Sequence, residues 1–186
     1  MGVSLQLIEE KGARALTLRE IGTRLGVSRT APYRHFTDKD ALLSALGAAG
    51  FQQFGDVLDE ARKSAGSSYF DQLDAMGVAY VKFASEHRAH FEVMFGLGSE
   101  ALKLDPEGSK VAERAFGILE ETIRNGQAAG EFVGGNSVAI AQMVWSLVHG
   151  ISLLGFNAGA GDKAVPEFPR FCFAHLRTGL QKHSGE

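Results

Sequence analysis

One cysteine, Cys172, in 186 residues rules out an internal disulfide. Its neighbours Phe171 and Phe173 are apolar rather than basic, which does not suit a redox sensor. Cysteine this scarce fits a reducing compartment, and a cytoplasmic setting is expected. No apolar stretch follows a basic start, so no signal peptide is expected. Prolines number only four, Pro32, Pro106, Pro166 and Pro169. Clear apolar/polar alternation is also missing, which argues against strands. There is no GxSxG, no P-loop, no HExxH and no Glu-x-x-His pair, so hydrolase, nucleotide-hydrolase and di-metal chemistry lack their residues. His87 and His90 stand beside Glu86, but without a second cluster they read as a solvated helix end. No enzyme activity, cofactor or metal is expected.

Hydrophobic residues make up 45% of the chain and charged ones 22%, a composition that supports a packed core rather than disorder. Net charge is −3. Its distribution is uneven. Residues 1–47 hold seven Lys/Arg against five Asp/Glu, leaving the remainder at −5. A mildly basic head on an acidic body is compatible with a nucleic-acid partner at the head.

Apolar spacings of three and four run throughout, so the fold class expected is all-α. Helices are expected at 3–11, 18–25, 29–35, 38–63, 69–86, 88–95, 110–128, 136–156 and 166–182, with a loop at 96–109. Gly12 and Gly130 stop two of them, and AGSS at 65–68 breaks another. Two functional parts are expected, a head over 1–47 and a body over 48–186. The helix from about Asp38 runs straight through the boundary.

Within the head, Thr17-Leu18-Arg19-Glu20 has the form of a capping box. Leu18, Ile21, Leu25 and Val27 would supply an inward face. Gly26 would take positive φ and end the helix, and Ser28 would cap the next one. Helix, glycine turn and short helix make a helix-turn-helix pattern. Thr37 is expected to cap the long helix. Lys39 in its first turn opposes the helix dipole, a choice explained if a phosphate approaches there. The short helix carries Arg29, Thr30, Tyr33 and Arg34 with few apolar residues. Arginine pairs with guanine edges, threonine meets a thymine methyl or a phosphate, and Tyr33, His35 and Lys39 suit phosphates. The pattern alone also fits a solvated corner of a helical bundle.

Gly12, Leu16-Thr17, Ile21, Leu25-Gly26-Val27-Ser28, Tyr33-x-His35-Phe36, Lys39 and Leu42-Leu43 together closely resemble the DNA-binding head of TetR-family transcriptional repressors. The resemblance covers about residues 3–47. It implies that 29–35 is the recognition helix and that Thr17 and Arg19 start the supporting helix against the backbone or a base edge. It implies that Tyr33, His35 and Lys39 hold phosphates, and that Arg29, Thr30, Ala31 and Arg34 read sequence. Ala31-Pro32 departs from the family pattern. Proline there removes a backbone donor, so an irregular helix start is expected. Trp145-Ser-Leu-Val-His149-Gly150 resembles a W-x-x-x-H-G signature of one C-terminal subclass.

Residues 138–156 carry no formal charge over nineteen positions. A membrane span is not expected, because Gln142, Ser146, His149 and Ser152 form one polar stripe and no Lys/Arg cluster flanks the segment. It reads as a helix buried on most sides. The resemblance implies a homodimer through the helices near 138–156 and 166–182, the latter with Phe168, Phe171, Phe173, Leu176 and Leu180 as apolar positions. Phe83, Phe91, Met94, Phe95, Phe116, Trp145 and Phe156 are candidates to line an apolar pocket, with Gln142 and His149 as its polar groups. The partners expected are a palindromic double-stranded operator and a small, largely apolar effector that releases it. The alternative is an all-α ligand-binding or catalytic protein whose helix-turn-helix head serves protein contacts.

Overall fold

The computed structural model describes residues 1–96, 102–157 and 167–181. It is all-α. The helices are α1 Gly2–Lys11, α2 Leu18–Arg24, α3 Lys39–Ser64, α4 Tyr69–Glu86, α5 Arg88–Met94, α6 Pro106–Ala128, α7 Ser137–Asn157 and α8 Glu167–Leu180. Short 3₁₀ turns lie at Ala13–Ala15 and Ala31–Arg34. The only pairing outside helices among the described residues is a single antiparallel bridge between Phe132 and Gln181.

Two compact units divide the chain. The first comprises Met1–Gln53 and His87–Glu113. Leu7 and Ile8 of α1, Ala13 and Leu16 of the turn, Leu18 and Ile21 of α2, Leu42 and Leu46 of α3, and Ala89 and Val93 of α5 form its core. Gly12, at φ 82°, ends α1, and its successor's N–H donates to Glu92 Oε1 at 2.6 Å. Arg24 reaches α1 with two bonds to the Glu10 carboxylate, 2.9 and 2.6 Å, and this contact lowers the Glu10 pKa.

The second unit comprises Phe54–Glu86 and Arg114–Glu186. In it α4 packs on α7 and α8, and α7 packs on α8. Gly77 of α4 makes room for the Phe173 ring, which a Cβ would meet at 2.7 Å. Glu131 supplies the cap of α4 from afar, accepting from Ser68 Oγ and the Tyr69 N–H, both at 2.9 Å. Helix α3 belongs to both units as one uninterrupted rod of 26 residues.

The sequence expectations differ from the structure at several places. Leu25 and Val27 do not face inward: they are 52% and 48% exposed. They sit at the turn, beyond the point where α2 still touches the core. Asp38, not Thr37, caps α3, its Oδ1 accepting from the Ala41 N–H at 2.8 Å. Helix α6 begins at Pro106 rather than near 110, because Asp105 Oδ1 accepts the Gly108 N–H at 2.7 Å and proline suits a first turn. The fourth difference concerns residues 29–35, which form no α-helix. Residues 158–166 and 182–186, the expected turn after α7 and the chain's end, lie outside the described residues.

Candidate functional site

The head surface is built around one tight turn. The Thr17 hydroxyl accepts from the Glu20 N–H at 3.2 Å and starts α2. The reciprocal half of the capping box is not made, because the Glu20 carboxylate pairs with Lys11 instead. Helix α2 closes as a Schellman motif: Gly26 N–H donates to Thr23 C=O at 3.1 Å and Val27 N–H to Gly22 C=O at 3.0 Å. Gly26 has φ 69°. The following backbone then returns over α2 so closely that a Cβ on Gly22 would stand 3.0 Å from the Ser28 carbonyl oxygen.

The expected recognition helix at 29–35 is a 3₁₀ turn over Ala31–Arg34. Ser28 does not cap it with its side chain. Its carbonyl accepts the Ala31 N–H at 2.9 Å, while its hydroxyl lies 3.2 Å from that of Thr30. Bonds from Tyr33 N–H to Thr30 C=O and from His35 N–H to Pro32 C=O continue the three-residue period. Pro32 is buried and has no N–H to give, which favours this tighter winding over an α-helix.

Thr17, Arg19, Ser28, Arg29, Thr30, Tyr33, Arg34 and His35 are all exposed, and Ala31 and Lys39 are half-exposed. The head's cations fall into three groups. Lys11 and Arg24 are neutralised by Glu20 and Glu10. Arg14, Arg19, Arg29 and Arg34 take no ion-pair partner among the described residues. Lys39 turns inward, its Nζ donating to the Arg14 carbonyl at 2.7 Å. The arrangement leaves four guanidinium groups for an anionic partner. Arg14 and the exposed Leu25 and Val27 were missed by sequence reasoning. Composition alone does not say which cations a carboxylate will neutralise.

The candidate effector residues fall into two groups. In the first unit, Phe91 and Phe95 rings lie 4.7 Å apart, Phe95 meets Phe51 at 5.6 Å, and Met94 packs against Gly50. In the second unit, Trp145 is the hub. It contacts Phe54 at 5.7 Å, Tyr80 at 5.3 Å and Phe116 at 5.6 Å, and Phe83 meets Phe54 at 5.1 Å. Tyr80 Oη lies 2.8 Å from His149 Nδ1. Burial pushes the tyrosine pKa up and the histidine pKa down, so both are neutral and share one proton in their hydrogen bond. Beside them is an apolar cavity of about 20 Å³, walled by Leu58, Met76, Tyr80, Leu119, Val144 and Trp145 among others. It has space for about one water molecule. Gln142, expected at the pocket wall, is exposed instead: it lies two turns before His149, about 10 Å along α7. The Phe156 and Phe168 side chains lie outside the described residues. Tyr80 and Phe54 were not among the pocket candidates. The one available signal was a tyrosine set within the apolar run around 76–84.

Two family models match this chain. One, described as bacterial regulatory proteins of the tetR family, covers residues 2–46, and one described as tetracyclin repressor-like, C-terminal domain, covers 73–176. A transcriptional regulator of Mycobacterium tuberculosis is 29% identical over 128 residues, 68% of this chain and 54% of the relative. The chain thus spans about half the length of that relative. The class A tetracycline repressor of Escherichia coli is 48% identical over 46 residues, 25% of this chain and 21% of the repressor. A solved structure of a protein of unknown function from Rhodococcus is 28% identical, with a TM-score of 0.86 over 97% of this chain and 93% of its own.

Proposed function

This chain belongs to the TetR family of bacterial regulatory proteins, and on that premise we propose that it is a homodimeric, cytoplasmic repressor that leaves a palindromic operator when a small apolar effector enters its body. The carrying observation is the head surface: a Schellman-closed helix-turn-helix whose Arg19, Arg29 and Arg34 have no carboxylate partner among the described residues. Such a surface attracts phosphates through unneutralised charge and reads bases with exposed donors. In this reading Arg29, Thr30, Ala31 and Arg34 face the major groove, with Tyr33, His35 and Thr17 on the backbone. The 3₁₀ winding sets Ala31 and Arg34 on one edge, so the reading edge is shorter than a full recognition helix. Exposed Val27 and Leu25 beside it suit thymine methyl groups. Residues 1–47 serve as the DNA-binding domain and 48–186 as the effector-binding and dimerisation domain.

The dimer reading rests on the outer faces of α7 and α8. Val138, Met143, Leu154 and Phe171 are 45–60% exposed. Ser137–Gly155 is long and apolar enough to cross a membrane, with 28% of it buried within the protomer. Exposed Gln142 and Ser146 on the same helix favour a protein partner over lipid. A two-fold interface would pair these faces and repeat the heads, matching a palindrome with half-sites about one helical turn, ~34 Å, apart.

The effector reading rests on the aromatic hub. Among the described residues, the polar side chains on the cavity wall are Tyr80, whose hydroxyl is held by neutral His149 behind it, and Trp145, so a charged ligand would be desolvated without compensation there. A neutral, largely apolar molecule with one hydrogen-bonding group fits. At about 20 Å³ the cavity must widen to take it. Leu58 on its wall and Phe54 on Trp145 both belong to α3. Their displacement passes along the rod that also carries Lys39, which couples effector and operator.

The test is a titration of the protein against the promoter DNA of its own gene, at several salt concentrations, with and without effector probes. Specific, salt-sensitive binding by a particle of dimer mass is expected. Trp145 is the only tryptophan, so its fluorescence reports entry into the hub. Neutral 4-ethylphenol should perturb it and the 4-ethylbenzoate anion should not. Absence of specific binding by the full chain sinks the repressor reading.

A further inference from the structure

We propose that Arg14 is a phosphate-contacting residue of the head, and that Lys39 acts mainly by positioning it rather than by reaching the phosphate itself. The inference rests on the DNA-binding reading and refines it.

Arg14 is the middle residue of the 3₁₀ turn Ala13–Ala15, just before the start of α2. That turn is clamped from two sides. On one side the Ala13 N–H donates to Glu92 Oε1 of α5 at 2.6 Å. On the other, Lys39 Nζ of α3 donates to the Arg14 carbonyl at 2.7 Å. Both are charge-assisted bonds, which are shorter and stronger than neutral ones. The packing beneath agrees: Ala13 and Leu16 are both buried, at 0% and 2% exposure. The backbone of a three-residue turn is therefore fixed by two helices and its own anchors, while the one long side chain it carries, Arg14, is exposed and takes no ion-pair partner among the described residues. A fixed backbone under an unneutralised guanidinium is the arrangement that costs an arginine least entropy when it meets a phosphate.

The two other cations near the start of α2 differ. Lys11 is neutralised by Glu20. Lys39 is half-buried and directs one of its donors back into the protein. The anion expected at the N-terminus of α3 is already supplied by Asp38, whose Oδ1 accepts from the Ala41 N–H. Asp40 adds a second carboxylate to that first turn. A phosphate at this helix end would meet two acidic groups. Moving outward along the turn, the exposed polar groups are the Arg14 and Arg19 guanidiniums and the Thr17 hydroxyl, with only the Ala15 methyl exposed between them. The backbone-contacting edge is thus Arg14, Thr17 and Arg19, with Lys39 and Glu92 as its supports.

The experiment uses the full chain and a mixed-sequence fluorescent duplex, with affinity measured across a range of salt. Arg14→Ala removes one phosphate contact per protomer, so it should lower the slope of log affinity against log salt by about 0.9 for each head, about 1.8 for the dimer, on every duplex alike. Arg14 is exposed, so this variant keeps its far-UV dichroism and melting temperature. In a Lys39→Gln background the further slope loss from Arg14→Ala should shrink well below one contact, because the turn no longer holds the guanidinium in place. An unchanged slope in Arg14→Ala overturns the role of Arg14. A full loss of one contact per protomer from each variant, additive in the double variant, overturns the positioning role of Lys39. No salt-dependent binding by the unaltered protein would overturn the DNA-binding reading on which both rest.

Discussion

Gly26 and Gly130 offer a matched pair of perturbations. Their φ angles are 69° and 76°, and a Cβ built on either would have nothing within 4 Å. Steric crowding with neighbours therefore contributes nothing, and only backbone preference remains. The left-handed conformation costs an alanine about 1–2 kcal/mol. Alanine recovers about 0.4–1 kcal/mol because its unfolded chain is less free than glycine's. The net expectation for Gly26→Ala and for Gly130→Ala is a loss of about 1 kcal/mol each. At this chain length that is about 2–4 °C in melting temperature. Asparagine visits the left-handed region more readily, so Gly26→Asn should cost less than Gly26→Ala. The two sites differ in function. Gly26 closes α2 through the Thr23 and Gly22 carbonyls and aims the turn that carries Arg29 and Arg34. Gly130 follows α6 in the other unit. Equilibrium urea unfolding and duplex binding on the same preparations separate the effects. Both alanine variants should lose similar stability, and only Gly26→Ala should also lose operator affinity. Equal stability of Gly26→Ala and the unaltered protein would refute the turn geometry. Equal affinity would refute the claim that this turn aims the reading edge.

Three further outcomes are expected. Arg29→Ala and Arg34→Ala should each narrow the gap between operator and mixed-sequence affinity by about 1–3 kcal/mol, read by competition binding; an undiminished gap would remove them from base readout. Phe54→Ala removes a fully buried ring packed on Tyr80, Phe83 and Trp145 and should cost about 3–5 kcal/mol in urea unfolding followed by Trp145 fluorescence, while added benzene should restore part of it by filling the space; a cost under about 1 kcal/mol would contradict the hub. Burial lowers the pKa of His149, and of His90 with help from neighbouring His87, so the unfolded chain takes up protons first as pH falls below about 6.5. Stability should be complete above that pH and fall between it and the lower folded-state pKa values, and His90→Gln with His149→Gln should flatten the decline in melts run from pH 7.5 to 5.

Local chemistry made much of this protein legible in its sequence. Thr17, Gly12, Gly26 and Gly130 act within a few residues of themselves, so the helix ends they set follow from residue type and spacing. The helical period of the apolar residues marked all eight helices of the described residues, and the spaced residues of the head carried the family resemblance. Other features depend on groups distant in the chain. Lys39 and Glu92 come to the same turn from positions 25 and 79 residues away, and no local pattern announces a clamp of that span. Likewise, Glu20 has two chemically reasonable partners, the N-cap amide and Lys11, and only packing selected Lys11. Whether Leu25 and Val27 face the core depends on where the chain turns after Gly22, which a repeat of apolar residues cannot show. The aromatic hub follows the same rule. Phe54, Tyr80, Trp145 and His149 come from three helices, and the tertiary fold alone decided that a buried tyrosine would answer a half-buried histidine. Sequence determined which segments coil and where they stop, because those energies are local; the fold decided which charges are spent inside and which remain for a partner, because those energies depend on distance in space.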